Sequence, residues 1–171
     1  MRTFEYRLYP KKEQSRLFMQ CLIKSRILYN EMLSTVTAFR YDANRGMLET
    51  LQTIPTIAKE DEKNSTAEIV VHPSGKFVYC SNRGHNSIAI FSFDAKTGML
   101  TPVGHQNYLI KTPRNFAIDP TGKYLLAASQ TSGKVIVFGI NPTSGELTPT
   151  GSVIDVPSPV CIRTMPAPLK N

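Results

Sequence analysis

Six polar side chains between residues 68 and 115 could act together on a carbonyl group. Glu68 and His85 could each take a proton from a water molecule. Arg83 and Arg114 could hold an oxyanion or a phosphate, because a guanidinium binds such anions through two parallel hydrogen bonds. We therefore predict Glu68, His85 and Arg114 as catalytic residues and Asn82, Arg83 and Asn115 as substrate-binding residues. Such a set is suited to hydrolysis, provided that the fold brings it together.

An internal repeat indicates how these residues could meet. Residues 72–77 (HPSGKF) recur as 119–124 (DPTGKY), and residues 94–102 (DAKTGMLTP) recur as 141–149 (NPTSGELTP), in both cases 47 positions later. A further copy of the second turn begins at Asp42. A period of this length with two turns is typical of the blades of a β-propeller.

Alternating apolar and β-branched residues predict four short strands in each complete repeat. They are 68–72, 77–82, 87–94 and 99–106 in the first repeat, and 115–119, 124–129, 134–140 and 146–153 in the second. Residues 158–162 resemble the start of the unit and predict one more first strand, whereas the charged residues 59–65 predict an exposed loop. The predicted fold is mainly β, a partial β-propeller of two complete four-stranded blades plus part-blades with a short N-terminal helical segment.

The first 33 residues differ from the rest in charge and periodicity. They hold seven Lys or Arg and three acids, in a chain of 171 residues with net charge +7. Alternation over residues 4–8 predicts a short strand that ends at Pro10. Apolar residues then recur every three or four positions from Leu17 to Met32, which predicts an amphipathic helix. We place a domain boundary here, between residues 1–33 and 34–171.

The motifs YRLYP, KKEQ and RILYN in this segment resemble the N-terminal helix-turn-helix of insertion-sequence transposases of the RNA-guided nuclease type. The resemblance covers only these 33 residues, and nothing matches the acidic catalytic residues or the zinc-binding cysteine pairs of that family. It implies contact with nucleic acid through basic side chains, the alternative being a solvated helix face. The candidate residues are Arg7, Lys11, Lys12, Arg16, Lys24 and Arg26.

The motifs HPSGKFVYCSNRGH, TPRNFAIDP and VPSPVCI resemble the C-terminal part of the bacterial 6-phosphogluconolactonase-like family, which has a seven-bladed propeller fold. The resemblance implies a sugar lactone, or a phosphorylated one, as substrate. It also implies that the starts of the inner strands and the loop after residue 82 meet at one mouth of the channel. An ion pair between Glu68 and Arg114, and a role of His85 in fixing loop shape, are the alternatives to catalysis. We expect His72 to be structural and His105 to have no role.

Composition excludes several other classes of protein. Cys21, Cys80 and Cys161 form no closely spaced pair, which argues against a disulfide framework or a zinc site and predicts buried apolar roles. No apolar run is long enough to cross a membrane, and the first residues lack the apolar core of a signal peptide. We expect a cytoplasmic protein with no cofactor, no metal and no membrane partner.

The two resemblances together predict a truncated or chimeric lactonase that is inactive or weakly active as a lone chain. The alternative is a nucleic-acid-binding remnant of a transposase fused to a non-catalytic propeller fragment. Because a partial propeller exposes sheet faces that other blades would cover, we also predict self-association through those faces.

Overall fold

The fold consists of eleven β-strands in three antiparallel sheets. The computed structural model describes residues 34–58 and 64–164 together with the backbone of residues 28–31. The strands are β1 (Leu28–Glu31), β2 (Thr35–Asp42), β3 (Met47–Pro55), β4 (Thr66–Val71), β5 (Phe77–Asn82), β6 (Ser87–Phe93), β7 (Leu100–Gln106), β8 (Pro113–Ile118), β9 (Tyr124–Ser129), β10 (Lys134–Ile140) and β11 (Leu147–Asp155). No helix of the described part is long and apolar enough to cross a membrane.

The first sheet, β1-β2-β3, is larger than the sequence pattern predicts. Leu28–Glu31 pairs antiparallel with β2, with Leu28 opposite Ala38. The predicted helix is therefore wrong for these four residues, although their spacing fits a helical apolar face. Ladder hydrogen bonds to β2 favour the strand, and local periodicity cannot reveal such a partner. The rest of the predicted N-terminal strand and helix lies outside the described residues.

The central sheet (β4 to β7) and the third sheet (β8 to β11) are the two predicted four-stranded blades. In both, consecutive strands pair as neighbours, so each sheet is an antiparallel meander. The bounds of β5, β9 and β10 agree with the prediction, and those of the other five strands differ at their ends. The described part is thus mainly β, as expected.

The repeated turns owe their shape to a short polar side chain at the first position. An oxygen of Asp42 accepts from the N–H of Asn44 at 2.9 Å, and the oxygen of Asn141 accepts from Thr143 at 2.9 Å. In the central sheet, Asp94 accepts from the N–H of Lys96 at 2.8 Å. Asp and Asn favour this local bond, which fixes the chain reversal before the next strand begins.

Two apolar cores hold the three sheets face to face. One core joins the first sheet to the central sheet and includes Val36, Ile54, Val78 and Phe91. The other joins the central sheet to the third sheet, and it consists of Phe77, Tyr79, Ile88, Ile90, Ile110, Phe116, Leu125, Ala127, Ile136, Phe138, Ile140 and Leu147. Alternate residues of β5 therefore serve opposite cores, as expected for a strand buried on both faces.

A turn of the third sheet lies close to the central sheet because it has a glycine at position 145. A Cβ built on Gly145 would lie 2.4 Å from a ring carbon of Phe77, and its φ is +77°. The hydroxyl of Tyr79, a fully buried residue, donates to the carbonyl of the same glycine at 2.8 Å. This turn of the third sheet consequently lies directly against the aromatic face of β5.

His72 has a structural place in the same interface. Its Nδ1 accepts from the N–H of Ser74 at 3.1 Å, and its Nε2 lies 2.8 Å from the carbonyl oxygen of Gly122. The ring thus bridges equivalent turns of neighbouring sheets, at the opposite end of the inner strand from Glu68. The expectation that His72 is structural is in accord with these contacts.

Three local predictions differ from the structure. Residues 158–162 form no strand, because the described chain offers no second strand of that unit to complete a ladder. Asn64, within the predicted exposed loop, is 6% exposed because it bonds to buried neighbours. Cys161 is exposed rather than buried, whereas Cys80 is buried as expected.

Candidate functional site

The candidate site lies where the inner strands β4 and β8 begin. Thr66, the first residue of β4, pairs with Asn82, the last residue of β5. The loop after β5 therefore lies at the same end of the strands as the start of β4. Half-buried Glu68 and buried Asn115 are linked here, because the Asn115 side-chain N–H donates to the Glu68 carboxylate. The ion pair between Glu68 and Arg114, the alternative to a catalytic role, is not among the salt bridges of the described residues.

Asn115 connects β4 to the segment around Ile162. While its Nδ2 donates to Glu68, its Oδ1 accepts from the backbone N–H of Ile162 at 2.7 Å. Residues 158–162 therefore follow the inner strands in space even though they form no strand. The Glu68 carboxylate also accepts a hydrogen bond from the N–H of Ile69 at 3.3 Å.

The two candidate arginines have different surroundings. Arg83 is half-buried, and its Nη2 donates to the carbonyl of Thr66 at 3.2 Å, two residues before Glu68. Its Nε is buried without a hydrogen-bond partner in the described residues. Arg114 is exposed, and its Nε donates to the side chain of Gln130 in the loop after β9. Both guanidiniums are therefore tethered near the starts of the inner strands.

Asn82 lies in the interior of the described fold, where it bonds to residues that follow the first sheet. It is fully buried, and its Oδ1 accepts from the Thr56 hydroxyl at 2.7 Å and from Asn64 Nδ2 at 3.2 Å. Its Nδ2 lies 3.3 Å from the hydroxyl of Ser87. These bonds occupy the amide, so Asn82 holds the loop in place through the first sheet and is not placed to contact a ligand.

The contacts of His85 are to Asn64, Ser87 and His105, and none of the hydrogen bonds of the described residues joins it to Glu68. The ring is exposed, its Nδ1 lies 2.7 Å from the Ser87 hydroxyl, and its centre lies 5.2 Å from that of His105. The Nε2 of His105 lies 2.6 Å from the carbonyl oxygen of Thr56. The structure therefore groups the six predicted residues into two sets, with Glu68, Arg83, Arg114 and Asn115 at the inner strands and Asn82 and His85 in the polar contact with the first sheet.

Sequence patterns missed several residues that position the site. Asn64 accepts from the backbone N–H groups of Gly84 at 3.2 Å and His85 at 2.9 Å, and thereby shapes the loop that carries Arg83. Thr56 and His105 complete this contact from the first sheet and from β7. None of the three belongs to a repeated motif, so only the packing of one sheet on the next reveals them.

The carboxylate of Glu68 affects a buried thiol on the neighbouring strand. Burial raises the pKa of Cys80 to about 12, and the negative charge of Glu68 adds to the rise. Both effects disfavour the thiolate, so Cys80 is unsuited to nucleophilic chemistry at neutral pH. It acts as a small apolar residue of the core.

The six basic residues predicted to contact nucleic acid lie outside the described residues, so their role stays a prediction. Residues 1–43 match a family described as a helix-turn-helix domain. This match overlaps a second one, because residues 23–164 match the family described as Lactonase, 7-bladed beta-propeller. In the overlap, the described backbone from Leu28 onward forms strands of the first sheet.

Known proteins of the second family share both sequence and fold with the chain. A 6-phosphogluconolactonase of Bacillus subtilis is 32% identical over 141 residues, which are 82% of this chain and 40% of that protein. A Bacteroides fragilis protein provisionally named 6-phosphogluconolactonase has a crystal structure that covers 77% of this chain and 36% of its own, with 39% identity and a TM-score of 0.71. The periplasmic gluconolactonase PpgL of Pseudomonas aeruginosa covers 81% of this chain and 38% of its own, with 29% identity and a TM-score of 0.72.

The chain spans 36–40% of the length of these three relatives. The match to the lactonase family extends over most of the chain, and the three sheets stack as propeller blades do. The chain therefore belongs to the lactonase family of seven-bladed β-propellers.

Proposed function

We propose that the chain carries part of the site of a lactone hydrolase that opens a sugar lactone of the 6-phosphogluconolactone type. The observation that supports this most directly is the hydrogen bond between Glu68 and Asn115, which joins a potential base to the next inner strand. Arg83 and Arg114 are tethered close by and supply positive charge. The relatives named 6-phosphogluconolactonase suggest the substrate class.

In the proposed reaction, Glu68 takes a proton from a water molecule as the water oxygen bonds to the lactone carbonyl carbon. The carbonyl oxygen then carries negative charge, which a guanidinium stabilises. The bond from this carbon to the ring oxygen breaks as the carbonyl re-forms, the ring oxygen takes the proton held by Glu68, and the products are the open-chain acid and the restored carboxylate. Asn115 keeps the Glu68 carboxylate in position, and the exposed guanidinium of Arg114 binds the phosphate of a phosphorylated substrate.

Glu68 is the preferred base over His85 because it lies at the start of an inner strand and contacts the next one. His85 instead makes contacts towards the first sheet and β7. We assign Asn82 to loop support, because its amide is fully buried and hydrogen-bonded. Asn115 positions the base, and Arg83 with its buried, unpartnered Nε lies beside it.

The proposal is tested by measuring how fast 6-phosphogluconolactone disappears at increasing concentrations of the chain. Of the two predicted outcomes, inactive or weakly active, the proposal requires the second: we expect a weak rate above spontaneous hydrolysis that rises with protein concentration, and we expect Glu68→Gln to lower this protein-dependent rate by at least about 100-fold. The matched control is Glu49→Gln, since Glu49 is an exposed carboxylate on β3 that pairs with Arg40. A rate independent of protein, or equal losses in both variants, would refute the proposal.

Two partner predictions remain beside this function. Binding of nucleic acid through the first 33 residues is supported by the helix-turn-helix match alone. Self-association is supported by exposed apolar side chains on the third sheet and after it, namely Tyr124, Ile154 and Val160. The lactone substrate is the partner that the relatives favour, and a cytoplasmic location also stays a prediction.

A further inference from the structure

We propose that His85 and His105 together bind a divalent transition-metal ion such as Ni²⁺ or Zn²⁺. The two rings come from different elements, the loop after β5 and strand β7, and both are exposed. Their centres lie 5.2 Å apart with the ring planes inclined by 60°. Two imidazoles bound to one tetrahedral zinc ion through bonds of about 2.1 Å have ring centres about 5 Å apart. The ring spacing therefore already suits a shared ion.

Each ring also has one nitrogen hydrogen-bonded to the protein, and within residues 34–58 and 64–164 the other nitrogen has no hydrogen-bond partner. His105 Nε2 lies 2.6 Å from the carbonyl oxygen of Thr56, which can only accept, so this nitrogen carries the hydrogen and Nδ1 carries the lone pair. His85 Nδ1 lies 2.7 Å from the Ser87 hydroxyl and can donate to it, which leaves Nε2 for the metal. Histidine ligands in metal sites commonly donate their second N–H to a backbone carbonyl or a similar acceptor.

The loop that carries His85 is held in this position by other bonds. The backbone N–H of His85 donates to Asn64 at 2.9 Å, and Asn64 is itself bonded to Ser34 at 2.9 Å. Because both rings are already placed, binding requires little ordering of side chains, which favours affinity. In the part of the chain that the structure describes, no third His, Cys, Asp or Glu joins the pair. Water completes the coordination, so the site suits nitrogen-preferring ions and not Mg²⁺ or Ca²⁺.

The direct test is calorimetric titration with Ni²⁺ alone, in a Cys21→Ser, Cys161→Ser background that removes two thiols as competing ligands. We expect one ion per chain, at least tenfold weaker binding in His85→Asn and in His105→Asn, and no binding of Mg²⁺. The third histidine of the chain supplies the matched control. His72→Asn should keep the affinity within about twofold, since that ring contacts Ser74 and Gly122 instead.

A second measurement does not depend on the stability of the variants. Ni²⁺ bound at this site should broaden the backbone amide signals of residues 84–87 and 104–106 in the nuclear magnetic resonance spectrum of the unsubstituted chain. Unchanged affinity in both substituted variants, or broadening centred near His72, would overturn the assignment. The outcome is independent of lactone hydrolysis, so failure of one proposal does not imply failure of the other.

Discussion

Cys80 and Cys161 carry the same thiol in opposite surroundings. Cys80 is fully buried beside Glu68, whose charge together with burial raises the pKa of the thiol to about 12, whereas Cys161 is exposed. Because the thiolate is the nucleophile, iodoacetamide at pH 8 should alkylate Cys161 at least about 100-fold faster than Cys80. Peptide mass spectrometry of the folded chain measures both rates in one sample.

The control for this experiment is the same labelling in strong denaturant, where the two cysteines should react at similar rates. Similar rates in the folded chain would contradict the burial of Cys80. The sequence predicts burial for both cysteines, and the structure confirms it for Cys80 alone. Cys161 stands between Val160 and Ile162, but residues 158–162 form no strand and the thiol is exposed.

The sequence predicts which residue types form the candidate site, but not which of their side chains contact each other. Arg114 and Asn115 are adjacent, but the β8–β9 ladder is interrupted by a bulge between Pro113 and Asn115, so Arg114 has no partner in the ladder. Only Asn115 reaches Glu68, while Arg114 reaches Gln130. The repeat itself contains the signal, since Glu68 and Asn115 are separated by the repeat length of 47 residues and occupy equivalent places on neighbouring inner strands. The contacts of His85 could not be predicted this way, because Asn64, Thr56 and His105 follow no repeat.

Among the elements, the turns that contact a neighbouring sheet tolerate substitution least. Gly75 and Gly145 have similar φ values of +70° and +77°, but only Gly145 lies against another side chain. Gly145→Ala should destabilise the chain by about 3 kcal/mol, from backbone strain and from overlap with the ring of Phe77. Gly75→Ala has only the strain, and should cost about 1 kcal/mol.

Chemical denaturation followed by circular dichroism gives the free energy of unfolding of both variants. Equal losses would show that the approach of Gly145 to Phe77 does not constrain the interface. A loss smaller in Gly145→Ala than in Gly75→Ala would contradict the placement of the turn altogether.

Strands could be predicted from the sequence throughout the two complete repeats. The alternation in β5, β9 and β10 is reinforced by turns of fixed type on either side, so local pattern and ladder agree. The residues of β1 also fit a helical period, so the sequence predicts a helix there, and residues 158–162 resemble the first strand of the repeat, so it predicts a strand where none forms. Both errors concern pairing partners, which a local pattern cannot show.

At the scale of the whole molecule, the central sheet is the element on which the others depend. Every residue of β5 is buried, and it contributes to both cores, whereas β3 of the first sheet is mostly exposed. In stacked repeats each unit is stabilised by its neighbours, so the middle one opens last. The backbone amides of β5 should therefore exchange with deuterium at least about 100-fold more slowly than those of β3.

Hydrogen exchange followed by mass spectrometry or magnetic resonance measures this difference directly. Equal protection in β3 and β5 would mean that the three sheets open as a single unit. Faster exchange in β5 than in β3 would contradict the stacking order.

The side-chain amide of Asn115 gives the hydrogen bonds between its neighbours a fixed direction. Its oxygen can only accept, and it does so from Ile162, while its nitrogen can only donate, and it does so to Glu68. The two ends of the side chain therefore cannot be exchanged, and the hydrogen bonds run one way, from the N–H of Ile162 through Asn115 to the carboxylate of Glu68. An aspartate at this position would have the same shape but two acceptors, and it would set one negative charge against another. Glu68 and Asn115 on successive inner strands thus form a pair of fixed polarity: the carboxylate requires a neighbour that donates a hydrogen bond, and the amide supplies that donor.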